Sequence, residues 1–135
     1  MKLTNSLNVK QLIETDWFDQ FNFAQQKEIE EGLSYNIPVE LYAKPQFTAR
    51  QMKVLRSAML EDINVDKLLN ARISARKMRI LSDAMKCGID ISTILSPKIN
   101  CQITKQFVAA MKLKKNLDKF NQFSAKKLII KFEDE

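Results

Sequence analysis

FTARQMKVLRSAMLEDINVDKLLNAR, residues 47–72, and ISARKMRILSDAMKCGIDISTILSPK, residues 73–98, are two copies of one pattern that align without a gap. Working outward, the same register continues as FNFAQQKEIEEGLSYNIPVELYAKPQ over 21–46 and INCQITKQFVAAMKLKKNLDKFNQFS over 99–124. Phe21, Phe47, Ile73 and Ile99 therefore open four units at a constant spacing of 26 residues. A period of roughly 20–50 residues marks a stacked array of one supersecondary unit rather than one irregular core.

The columns of that alignment say what the unit is. Asn22, Thr48, Ser74 and Asn100 follow the opening residue, and each has a short side chain that can accept from the free N–H groups of a helix start. Apolar residues then recur at helical spacing: Ile29 and Leu33; Met52, Leu55 and Met59; Met78, Leu81 and Met85; Phe107 and Met111. Gly32, Ala58, Ala84 and Ala110 form a small-residue column where a neighbouring helix can approach closely. Asn36, Asp62 and Gly88 tolerate the left-handed conformation of a helix end, and Lys114 stands in the same column. A shorter helix is expected to start at Pro38, Asn64, Asp90 and Asn116, carrying Val39 and Tyr42, Val65 and Leu68, Ile91 and Ile94, Leu117 and Phe120. Pro45 and Pro97 end it in two copies.

Helices under about 12–15 residues are marginal in water, so each unit depends on its neighbours. The expected fold is all-α: a compact, solenoid-like array of four long-helix/short-helix units with capping segments at both ends. One domain is expected over 1–135, with an N-terminal cap at 1–20, repeats at 21–46, 47–72, 73–98 and 99–124, and a C-terminal cap and tail at 125–135. Asn8, Val9 and Leu12 read as a half unit, and Trp17 and Phe18 as a cover for the first repeat. Leu128, Ile129, Ile130 and Phe132 read as a last helix closing the core.

No run of about 18 apolar residues exists for a membrane span, and MKLTNSLNVKQ lacks the apolar stretch of a signal peptide. Cys87 and Cys101 are expected to be reduced thiols, since Cys101 occupies the column of Ala49 and Ala75. A cytoplasmic location follows.

Charge is distributed unevenly. The net charge is +6, yet the four units sum to −2, +2, +3 and +4 in chain order. Lys27, Lys53, Arg79 and Lys105 form a column that is basic throughout and lies opposite the apolar stripe. Arg50 and Arg76 stand three residues before it, and Lys86 and Lys112 seven after, on about the same face. Lys53, Arg79, Lys105, Arg50, Arg76, Lys86 and Lys112 are thus a candidate basic ridge for phosphates or an acidic protein surface. The same residues also suit plain solvated helix faces. Glu61, Asp62 and Asp83 interleave with them, and few aromatics do; single-strand binders usually add aromatic stacking platforms.

Catalysis has little to work with. The chain has no His, the commonest general base and metal ligand. Two cysteines fourteen residues apart make a poor zinc site, and two glycines make no phosphate loop. The carboxylates Glu28, Glu30 and Glu31 suit a solvated helix face better than an active site. The five methionines at 52, 59, 78, 85 and 111 fall on the buried stripe. No enzyme, metal, cofactor or small-molecule substrate is expected.

FTARQMKVLRSAM with DINV, and ISARKMRILSDAM with GIDI, resemble a short helical repeat of proteins from Gram-positive bacteria, their phages and integrative elements. The resemblance spans about residues 21–124; Gln26 in the first copy, and Ile103 with Thr104 in the fourth, depart from it. It implies a context rather than a shared activity. A small mobile-element protein of this kind often occludes a host macromolecular complex, as an anti-CRISPR or other anti-defence inhibitor does. The expectation is a non-catalytic binder of a host protein or protein–nucleic acid complex. Alternatives are a direct, phosphate-contacting nucleic-acid-binding protein and a structural module that assembles end to end.

Overall fold

Each unit begins with a capped helix because the sequence supplies the acceptor. The computed structural model describes residues 14–133, with side chains as far as 122. Asn22 Oδ1 accepts from the Gln25 amide at 2.8 Å and Thr48 Oγ1 from that of Gln51 at 3.1 Å. Ser74 Oγ accepts from Lys77 and Asn100 Oδ1 from Ile103. In the first two units the glutamine returns the bond to the backbone of the capping residue, closing a capping box.

A short helix α1 (Asp16–Asp19) precedes the array. The long helices are α2 (Phe23–Ser34), α3 (Ala49–Leu60), α4 (Ala75–Lys86) and α5 (Cys101–Glu133). Single 3-10 turns follow the first three of these, at Val39–Leu41, Asp66–Leu68 and Ser92–Ile94. No strand occurs among the described residues. Each long helix packs on the next, α2 on α3, α3 on α4 and α4 on α5.

The helix ends follow their column. Asn36, Asp62 and Gly88 have φ of 58°, 60° and 75°. The following isoleucine amides, Ile37, Ile63 and Ile89, reach back to Gly32, Ala58 and Ala84 at 3.0–3.2 Å. This is the Schellman closure, repeated three times. The core is one continuous cluster, with Ile29, Met52, Leu55, Met78 and Leu81 fully buried. The turns contribute Val39, Tyr42 and Leu68 to it, also without exposure.

Three expectations are corrected. The second helix of the unit is a single 3-10 turn, and in the fourth unit it is missing altogether. There α5 runs unbroken through Lys114 and Lys115, leaving Leu117 and Phe120 52% and 65% exposed rather than in the core. The reason is local: Lys114 disfavours the left-handed conformation that Asn36, Asp62 and Gly88 adopt, so nothing ends the helix. Ala110, alone in its column, is exposed. Second, Met59, Met85 and Met111 are half-buried while Met52 and Met78 are buried, because the later positions lie at the groove edges. Third, Tyr35 and the phenylalanines are expected from the sequence mostly at core-like or capping positions, yet Phe23 and Tyr35 are exposed.

Trp17 packs edge-on against Phe21, with ring centroids 5.1 Å apart, as a cover for the first repeat should. The half unit expected at Asn8, Val9 and Leu12 lies outside the described residues, as do the side chains of Leu128, Ile129, Ile130 and Phe132. Both cysteines are free thiols.

Candidate anion-binding surface

Two pairs of cations share a hollow through repetition itself: residues in the same column of neighbouring units, Arg50 with Arg76 and Lys53 with Arg79, face each other across a helix groove. Arg50 and Lys53 of α3 and Arg76 and Arg79 of α4, all exposed, line one concavity of about 340 Å³ together with Ala75. No acidic residue lines it. None of the four makes an ion pair among the described residues. The hollow lies over the first turn of α4, where the helix dipole adds to the positive potential.

The rest of the basic ridge divides. Farther along the α3–α4 groove Lys53 and Arg79 also border a hollow that contains Glu61 and Asp83. Lys105 and Lys112 line the α4–α5 groove opposite Asp83. Lys86 is not available in the same way: its Nζ lies 3.0 Å from Glu61 Oε2. That hydrogen bond and the Glu61 charge hold the Lys86 ammonium above its ordinary value. The ridge is therefore strongly basic at the N-terminal ends of α3 and α4 and mixed in sign toward their C-termini.

Four features escaped sequence reasoning. Arg56 is buried, with Nε and Nη2 at 3.1 and 3.0 Å from Glu28 Oε2, and Nη2 at 2.9 Å from Glu31. Two carboxylates expected to be merely solvated thus hold an arginine between α2 and α3. A buried charge of this kind is costly unless paired. The second feature is a buried polar column. Gln25 Nε2 donates to the carbonyls of Pro45 and Phe47, Gln51 Nε2 to Ala71 and Ile73, and Lys77 Nζ to Ser96 and Ile99. Each clamps the loop that opens the following unit. The signal was visible as a polar residue in a fixed column, but its acceptors lie about twenty residues away.

Third, in the fourth unit Ile103 takes the clamp position and is 51% exposed. Fourth, a larger hollow of about 460 Å³ opens beyond the C-termini of α3 and α4, lined by Asn64, Asp66, Lys67, Met85, Ile89, Asp90 and Ile91. Its carboxylates give it the opposite sign to the basic concavity. Asp90 is held below the ordinary carboxylate value by hydrogen bonds from the Ser92 hydroxyl and amide. Among the described residues no group of three or more His, Cys, Asp and Glu is placed to hold a metal ion. No described helix is long and apolar enough to cross a membrane.

No family model, curated protein or solved structure matches the chain.

Proposed function

We propose that this chain is a non-catalytic binding protein that lays the concavity of Arg50, Lys53, Arg76 and Arg79 against the phosphates of a nucleic acid. The observation that carries this reading is the set of four cations around one hollow with no carboxylate among them. Four like charges brought together work against folding, and a bound polyanion relieves that repulsion. The hollow holds no aromatic stacking platform, and its four cations match the spacing-tolerant, charge-driven contacts of a phosphate backbone, so recognition is read as following the backbone. Following the repeat resemblance, the nucleic acid belongs to a host nucleoprotein complex that the chain occludes in the cytoplasm, as a mobile-element inhibitor would.

The test is a titration of labelled single- and double-stranded nucleic acid at several salt concentrations. Four phosphate contacts give a slope of log K against log salt of about −3 to −4. The variant Arg50→Gln, Lys53→Gln, Arg76→Gln, Arg79→Gln should fold, lose binding and flatten that slope. Wild-type binding that the four changes leave intact refutes the reading. So does capture of a complex whose affinity ignores salt, which would place the contact on a protein surface instead.

A further inference from the structure

Repetition builds a second groove, at the opposite ends of the long helices from the basic concavity. The hollow beyond the C-termini of α3 and α4 has a counterpart one unit earlier. This is a concavity of about 290 Å³ beyond the ends of α2 and α3, whose lining includes Ile37, Leu41, Met59, Asp62 and Ile63. Asn64 and Asp66 border both hollows, so the two are halves of one groove divided at the turn Asp66–Leu68. Met59 and Met85 share a column, and each lines one half while remaining half-buried. Leu41 and Ile63 are half-buried beside Met59. Unbranched thioether side chains adapt to apolar groups of varied shape. The rim has a sign. It carries the carboxylates of Asp62, Asp66 and Asp90 against one ammonium, that of Lys67, and all four residues are exposed. Lys67 acts on Asp90 only at longer range, and none of the three aspartates is in an ion pair among the described residues. The C-terminal ends of α3 and α4 add negative potential to the same groove.

We infer that this groove docks a cationic amphipathic helix of a partner protein, with apolar residues in the two hollows and lysines or arginines toward the aspartates. Charge complementarity selects the cation, on a chain whose net charge is otherwise +6. The apolar floor selects a segment that also carries aliphatic side chains, rather than a plain basic tail. Packed neighbouring helices lie about 8–10 Å apart, so the two hollows repeat at about that distance. Residues seven apart on one face of a helix are separated by about 10.5 Å, which sets one anchor over each hollow. The groove and the basic concavity lie at opposite ends of α3 and α4, so this assignment is independent of the polyanion reading.

Fluorescence anisotropy of the full chain with the labelled amphipathic peptide LKKLLKLLKKLLKL, whose leucines recur seven apart, tests it. Binding should be micromolar, and a lysine-only peptide of the same length should bind at least about tenfold more weakly because it fills neither hollow. Asp62→Asn, Asp66→Ser and Asp90→Asn combined install the residues that Asn36, Ser92 and Asn64 supply in the same columns, so the fold should hold. Affinity should fall by about tenfold. Met85→Gln, a near-isosteric change at a half-buried position, should lower it by about as much with an unchanged far-ultraviolet circular dichroism. Glu14→Gln, Asp16→Asn and Asp19→Asn remove as many carboxylates ahead of α2, and should leave affinity within about twofold. A wild type that does not bind the amphipathic peptide overturns the inference. So does equal binding of the lysine-only peptide, which would leave charge alone as the attraction. Affinity that the aspartate or Met85 variants leave unchanged overturns it as well, as does an equal loss in the distant charge control. A wild-type mass that rises in sedimentation equilibrium, and returns to 15.7 kDa in the aspartate variant, overturns it in favour of a second copy.

Discussion

Gly32 and Tyr42 occupy the columns that hold Ala58 with Leu68, and Ala84 with Ile94, in the next two units. The larger residue in one column has been matched by a smaller one in the other. A Cβ on Gly32 would stand 2.0 Å from Tyr42 Oη and 2.6 Å from Val39 Cγ1. Tyr42 cannot easily yield, because it is fully buried and its hydroxyl donates to the Glu28 carbonyl at 2.7 Å. That burial, set against a smaller opposing effect of the Arg56 charge, pushes its phenol well above the ordinary value. Gly32→Ala should therefore destabilise the fold by about 1–3 kcal/mol, despite the better helix propensity of alanine. Adding Tyr42→Leu gives the first unit the pair found in the second and should recover at least about 1 kcal/mol; a double-mutant cycle by urea denaturation reads this directly. Lys77 offers a second residue-scale case. Burial lowers its pKa below the usual 10.5, with charge on Cys101 acting weakly the other way. The unfolded chain then binds more protons than the native one just below pH 10.5, so stability rises with pH through that window. Lys77→Gln, the residue of the two preceding clamps, should keep both carbonyl bonds, hold stability within about 1 kcal/mol of wild type at neutral pH, and abolish that rise. A rise that persists in the variant would assign it to another group.

At the scale of the element, the N-cap, the apolar stripe and the left-handed C-terminal residue are all readable from the chain, because each acts within four or five residues of itself. That is why α2, α3 and α4 start and end where their columns require. The same local rule applied to the fourth unit should have ended α5 nowhere, since Lys114 offers no stop. The repeat period instead suggested a second short helix at Asn116, and the period was the weaker guide. What no local pattern carries is the buried clamp of Gln25, Gln51 and Lys77, whose acceptors belong to the next loop. Close packing between elements is legible in part: the small column was expected to face a neighbour, and Ala84 is fully buried. Ala84→Leu should force α4 off its contacts and cost about 1–3 kcal/mol. A melting temperature equal to wild type would show that the groove has room for the extra atoms.

For the molecule as a whole, the polarity of charge along the array follows from simple addition of residues, but the state of each charge does not. Arg56 looks like any exposed helix cation in the sequence, yet Glu28 and Glu31 hold it between two helices. Lys86 looks like part of the ridge, yet Glu61 neutralises it. Both pairings join residues 25 or more positions apart, and only the stacking of units brings them together. Lys53, Arg79 and Lys105, by contrast, are exposed as their phase on the helix requires. Reversing all three to Glu changes the charge by six units and takes the chain from +6 to zero. Folding should survive: surface charges are worth about 0–1 kcal/mol each, and the new repulsion from Glu61 and Asp83 is offset by relief beside Arg50 and Arg76. The far-ultraviolet circular dichroism should match wild type and Tm should stay within about 5 °C. Added salt should raise the wild-type Tm more than that of the variant, because only the wild type gathers four unpaired cations in one hollow. Loss of folding in the triple variant would mean that these side chains carry buried contacts and that the helix phase placing them in the grooves is wrong.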